Sequence, residues 1–101
     1  MLPKSRALGY AEAQKLLSEV RDWVVVSDAG ILQLRKVYKF SSYERCLKFV
    51  NALAKIAEQH NHHPQIILEW GRVTVSWWTH SVDGLLPNDF FMASRTDNIH
   101  S

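Results

Sequence analysis

Between Ser42 and Gln59 the apolar residues recur with the period of an α-helix, and they do so on two adjacent faces. Tyr43, Leu47, Val50, Ala54 and Ala57 make one stripe; Cys46, Phe49, Leu53 and Ile56 make the other. A single sheet covers about one such face. The width therefore calls for a second covering surface, either another subunit or the other helices of the same domain. Ser41-Ser42-Tyr43-Glu44 offers a capping box at the start, a hydroxyl with a carboxylate three residues on. Pro64 ends the pattern, because the residue before a proline is pushed out of the α region.

On either side of this helix the apolar period changes to two. Trp23–Val26 is a short, largely β-branched run, and Ser27-Asp28-Ala29-Gly30 has the composition of a turn. From Ile31 to Phe40, Leu32, Leu34, Tyr38 and Phe40 share one side while Gln33, Arg35 and Lys39 share the other, as in a half-buried antiparallel strand. After the helix, Gln65–Trp70 and Arg72–Trp78 repeat the hairpin pattern around Gly71. Val73, Val75 and Trp77 lie on one face there; Thr74, Ser76, Trp78 and His80 lie on the other. Two further helices flank the hairpins. Ala13, Leu16, Leu17 and Val20 are spaced for a helix over Tyr10–Arg21, with Gly9 as cap and Glu12 in the first turn. Leu86-Pro87-Asn88-Asp89 opens a short last helix that should end near Thr96 or Asn98. Residues Met1 to Leu8 carry no periodic pattern and are expected to be loose. The order α-β-β-α-β-β-α, with strands paired as hairpins and helices on one face, reads as an α+β sandwich.

A chain of 101 residues fits one domain spanning 1–101, with a small core that self-association would reinforce. Twelve Lys and Arg against 10 Asp and Glu leave a formal charge of +2, too weak for a nucleic-acid footprint. The densest basic run, Arg35-Lys36-x-x-Lys39, reads as the solvated face of a strand. Direct nucleic-acid binding is not expected. The single cysteine, Cys46, excludes an internal disulfide and suits a reducing compartment. No apolar run approaches the ~20 residues of a membrane span, and the first residues lack the apolar h-region of a signal peptide. The expectation is a cytoplasmic protein without membrane contact.

The chemistry concentrates in Glu58-Gln59-His60-Asn61-His62-His63-Pro64, which holds three of the five histidines, with His80 following later. Imidazole titrates closest to neutrality, so a cluster of this kind suits proton transfer. On that reading His62, His63 and His80 supply acid and base, and Glu58 or Asp89 orients or charges one of them. A zinc site built from His60, His62, His63 and His80 with Glu58 or Asp89 is a second reading, although the spacing is not the i, i+4 pair of a helical zinc motif. The plainest reading is a solvated loop whose histidines interact with the helix dipole, which accounts for His60 better than for His63 and His80. Nucleophilic catalysis has little support, since Cys46 sits mid-helix on an apolar stripe and no serine or glycine-rich loop has the required context.

Glu58-x3-His62-His63-Pro64-x5-Trp70-x9-His80-x8-Asp89 resembles the signature of the pterin-4a-carbinolamine dehydratases. The likeness extends to Trp23, Phe40, Ala57-Glu58, Val73-x-Val75-x-Trp77-x-Thr79-His80 and Gly84-Leu85, nearly the whole chain. It implies a four-stranded antiparallel sheet with three helices on one face. It implies a metal-free site, with no cofactor, that dehydrates 4a-hydroxytetrahydropterin to quinonoid dihydropterin and so serves an aromatic amino acid hydroxylase. Known members are dimers or tetramers, so a homodimer or homotetramer is expected; the animal form also binds a homeodomain transcription factor.

Carried over by the resemblance, His62, His63 and His80 are the catalytic trio. Groups around His62–Pro64 and around Thr79, Ser81 and Val82 would hold the pterin. Glu58 and Asp89 would orient histidines, and Trp70 is either a pocket wall or core. Three positions depart from the family pattern: Gln65-Ile66 replaces an acidic residue and Trp, Leu86-Pro87 replaces a Ser or Thr helix cap, and Trp78 is bulky for its place. A non-catalytic module of the same fold, binding a pterin or a protein through the broad face of the long helix, is the alternative.

Overall fold

The computed structural model describes residues 6–100. The elements are α1 (Tyr10–Leu16), β1 (Val24–Asp28), β2 (Ile31–Lys39), α2 (Tyr43–His60), β3 (Gln65–Glu69), β4 (Arg72–Trp77) and α3 (Pro87–His100). Single 3₁₀ turns at Leu17–Glu19 and His80–Val82 interrupt this series. All four strands form one antiparallel sheet in the order β1-β2-β4-β3, so each sequence-adjacent hairpin survives and β2 pairs with β4 to join them. The expected α+β arrangement is the observed one.

Side-chain alternation places Leu34 and Tyr38 of β2 and Val73, Val75 and Trp77 of β4 on the face toward the helices, all buried. Cys46, Phe49, Leu53, Ile56 and Ala57 of α2 and Phe90, Met92 and Ala93 of α3 bury against them. At about 25 cal/mol per Å² of apolar surface removed from water, this shared core is the main source of stability.

Several local details differ from the sequence expectation. The first helix stops at Leu16 and tightens into a 3₁₀ turn, because β-branched Val20 is extended and Asp22 has a positive φ of 66°. That bend turns Val20 and Trp23 into the core. β1 continues to Asp28, so the first turn is only Ala29-Gly30, with φ of 53° and 80°. Two successive positive φ values are what a two-residue hairpin turn with the native twist needs. The cap of α2 is Ser42, not Ser41: its Oγ accepts from the Arg45 N–H at 3.1 Å, and no reciprocal carboxylate closes a box. Glu44 instead lies 3.9 Å from Lys48 on the helix surface. α3 runs to His100, past the expected end, because the His100 ring packs against Tyr38, Phe40 and Phe49 at 4.8–5.9 Å.

The basic run also divides. Arg35 lies on the open face and donates to Ser76 Oγ at 2.8 Å and to Gln33 Oε1 at 3.0 Å. Lys36 lies on the helix side, with Nζ 2.8 Å from Asp97 Oδ1 of α3 and 3.2 Å from the Arg21 carbonyl. Lys36, Tyr38 and Trp23 all donate to the Asp97 carboxylate. Burial first, then the Asp97 hydrogen bond and charge, push the Tyr38 phenol well above its usual range.

Of the segment expected to be loose, residues 1–5 lie outside the described residues. Leu8 is anchored: its N–H donates to the Leu85 carbonyl at 2.7 Å. The crossing is close enough that a Cβ on Gly84 would meet Ala7 Cβ at 2.6 Å, so only glycine fits there.

Candidate active site

α2 ends at His60 with Asn61 as its cap in the left-handed conformation, φ 48° and ψ 43°. Asn61 and His62 return their N–H groups to the last carbonyls of the helix, at Ala57 and Glu58. Asparagine is, after glycine, the residue most tolerant of this geometry. The resulting reversal carries His62 across to β4 and α3.

There the imidazole is held in two directions. Its ring stacks on Trp77 with centroids 5.3 Å apart and planes 16° apart. In the ring plane, Nε2 lies 2.6 Å from Asp89 Oδ1. Asp89 is 0% exposed, and its other oxygen accepts from Thr79 Oγ1 at 2.8 Å and from the Leu86 N–H at 2.9 Å. A buried carboxylate with three partners is fully satisfied, as its burial demands. An ionised carboxylate accepts only, so the contact matches the His62 tautomer that carries its proton on Nε2, with Nδ1 as the ring's other nitrogen.

The other two histidines are less constrained. His63 is half exposed, with Nε2 3.4 Å from Glu58 Oε1, a long and weak contact. His80 opens the 3₁₀ turn after β4 and lies against the Trp78 ring at 4.7 Å between centroids. Asn61, His62, His63, Thr79, His80 and Ser81 line one cleft of about 330 Å³. Volume does not single it out, since depressions of about 250 Å³ beside Phe40 and Phe49 and about 310 Å³ beside Leu16 and Phe90 exist as well. What distinguishes this one is three imidazoles on a single wall.

The structure thus brings together His62, His63, His80, Thr79 and Ser81, with Asp89 behind them. The Glu58 side chain reaches the site through His63, and its carbonyl through the Asn61 N–H. Pro64 and Val82 are half-buried neighbours of the lining residues and not part of the lining. Trp70 is neither pocket wall nor core: it is 73% exposed in the β3–β4 turn, at the opposite end of the hairpin from the cleft. Among the described residues no three His, Cys, Asp or Glu side chains converge as metal ligands do. Of the residues in the zinc reading, His60 packs on Phe91 at 5.7 Å between centroids and is not among the residues that line the cleft.

Two site residues were not anticipated. Asn61 could have been found as the αL cap between two histidines. Trp77 had no such signal, because strand alternation assigns it to the core and only the tertiary fold lays His62 on it. The departures from the family pattern are accommodated locally. Leu86 needs no hydroxyl to start α3, because its N–H is taken by the Asp89 carboxylate and its carbonyl accepts the Asp89 N–H at 2.9 Å. Ile66 and Trp78 are half-buried and pack against the core.

Comparison with known proteins points the same way. The family model described as pterin 4 alpha carbinolamine dehydratase matches residues 6–99. A protein of Chlorobium limicola, provisionally named a pterin-4-alpha-carbinolamine dehydratase, is 46% identical over 92% of this chain and 82% of its own. One from Vibrio vulnificus, under the same provisional name, is 48% identical over 92% and 84%. Among solved structures, one described as a transcriptional coactivator/pterin dehydratase from Brucella melitensis superposes with a TM-score of 0.83 at 26% identity, covering 95% of this chain and all (100%) of that one. A pterin dehydratase-like protein identified as a RuBisCO assembly factor in the alpha-carboxysome shares the fold, with a TM-score of 0.66 at 24% identity over 78% of this chain and 89% of its own. With a family match over residues 6–99 and relatives near half identical, this chain belongs to the pterin 4 alpha carbinolamine dehydratase family.

Proposed function

We propose that this protein dehydrates a 4a-hydroxytetrahydropterin to the quinonoid dihydropterin and water, by proton transfer through histidines. The observation that carries the reading is the convergence of His62, His63 and His80 on one cleft, with a buried carboxylate fixing the first of them. The reaction breaks the C4a–O bond and forms a C=N bond to the adjacent ring nitrogen. One group must take the proton from that nitrogen, and another must deliver a proton to the departing hydroxyl.

His62 fits the base. With Nε2–H donated to Asp89, the Nδ1 lone pair is the one free to accept a proton, and the carboxylate then stabilises the imidazolium. His80 fits the acid that protonates the leaving hydroxyl. His63, beside Glu58, fits a second donor on the same wall. After water leaves, the proton gained by His62 and the one lost by the acid balance, and exchange with solvent at the open cleft resets the pair.

The same reading takes the pterin as substrate, in service of an aromatic amino acid hydroxylase, and takes the protein to be a homo-oligomer. Tyr43 and Leu47 of α2 support the second point, since each stays nearly half exposed at the start of a stripe that the core covers only farther along, at Val50 and Ala57.

The test is to follow the breakdown of freshly generated 4a-hydroxytetrahydropterin by stopped-flow absorbance. Wild type should accelerate it, and His80→Ala should lower turnover by at least ~10²-fold with its fold intact. A folded wild type that leaves the rate unchanged would overturn the reading in favour of a pterin-binding or protein-binding module.

A further inference from the structure

We infer that Thr79 is a positioning residue of the reaction, acting through Asp89 on His62 and not through the substrate. The inference deepens the dehydratase reading and rests on it. Thr79 belongs to the cleft by location, which would ordinarily make it a substrate contact. Its hydroxyl, however, is already committed: Oγ1 donates its one proton to Asp89 Oδ2 at 2.8 Å. That oxygen is the one not bonded to His62, so the hydroxyl and the Leu86 N–H together fix the rotation of the carboxylate about its own axis. The rotation decides where Oδ1 lies, and Oδ1 at 2.6 Å decides where His62 Nε2 lies.

Thr79 is itself well anchored for this purpose. It bridges to Gly84 through both backbone groups, N–H to the Gly84 carbonyl at 2.7 Å and carbonyl to the Gly84 N–H at 3.3 Å. Its carbonyl also accepts from the Val82 N–H at 3.3 Å. The strand end, the 3₁₀ turn and the start of α3 thus meet at one hydroxyl. Removing it leaves His62 stacked on Trp77 but free to slide in the ring plane, and a misplacement of ~1 Å can cost up to ~10²-fold in rate.

The experiment compares Thr79→Val, which keeps the branched shape and the backbone bridge, with Thr79→Ser, which keeps the hydroxyl. Steady-state dehydration is read together with the NMR signal of the His62 Nε2 proton, assigned by its absence in His62→Gln. The expected result for Thr79→Val is a fall in kcat of roughly 10-fold with KM unchanged within a factor of about two, and an exchange-broadened His62 signal. Thr79→Ser should restore both. A Thr79→Val protein with wild-type kcat and a sharp signal would overturn the inference. So would a raised KM at unchanged kcat, which would make the hydroxyl a substrate contact. An inert wild type would instead remove the dehydratase reading, while the NMR signal would still decide whether Thr79 positions His62.

Discussion

At the scale of single residues, two aspartates of α3, Asp89 buried and Asp97 partly buried, do different work with the same chemistry. Asp89 ties the cleft end of the molecule together through His62, Thr79 and the start of α3. Asp97, two turns further along α3, ties that helix to the sheet by accepting from Trp23, Lys36 and Tyr38. The Tyr38 phenol, raised above its ordinary value of 10.0, carries a linkage consequence. A pKa raised on folding favours the protonated form, so its contribution is fully present below the unfolded value. It is lost as pH rises from there toward the folded value. Tyr38→Phe should therefore lower stability at neutral pH by about 1–2 kcal/mol, because the partly buried Asp97 carboxylate loses one of its donors. It should also flatten the decline above about pH 10. Urea melts at pH 7 and pH 11 check this, and equal alkaline losses in the two proteins would count against it.

At the scale of elements, the hairpins were legible because alternation and turn composition agree, but their turns were not placed to the residue. Ser27-Asp28-Ala29-Gly30 has the composition of a turn throughout. β1 keeps its first two residues because Asp28 pairs with Ile31 and Ser27 with Leu32, register that only the folded sheet supplies. Alanine at φ 53° is the weak point of that turn. Left-handed backbone costs an ordinary residue roughly 1–2 kcal/mol, and asparagine tolerates it better. Ala29→Asn should raise stability by about 0.5–1 kcal/mol and Tm by roughly 2–8 °C, measured by calorimetry. An unchanged or lower Tm would mean the turn relaxes in solution. The helices erred at their ends for a related reason: α1 was expected to be longer and α3 shorter, and in each case packing at the terminus, not local propensity, made the difference.

At the scale of the whole molecule, the two apolar stripes of α2 are covered unequally. Cys46, Phe49, Leu53 and Ile56 are buried in the core, while Tyr43 and Leu47 remain exposed at 47% and 43%. No helix among the described residues covers them, and none is long and apolar enough to cross a membrane. Self-association through this stripe predicts sedimentation at a multiple of the 11.7 kDa chain. Leu47→Glu should shift that species to the monomer at micromolar concentration, because burying an unpaired carboxylate in the contact is unfavourable by several kcal/mol. A wild type that already sediments as a monomer would remove the proposal. The cleft residues lie at the far end of α2 from Leu47, so dehydration by the monomeric variant would separate assembly from chemistry.

The sequence by itself determined the class and order of the elements, the core face of β2 and β4, and the three histidines that line the cleft. These follow from periodicity and from residue types whose chemistry is rare enough to stand out. Asp89 was legible as a partner only in kind, since His62 and Asp89 are separated by 27 positions. Which histidine is held, that Trp77 lies beneath it, that Thr79 spends its hydroxyl on Asp89, and that Trp70 lies outside the site were decided by tertiary structure. Each depends on where α2 ends relative to the end of β4 and the start of α3. That juxtaposition comes from packing three elements onto one core, which no local pattern encodes.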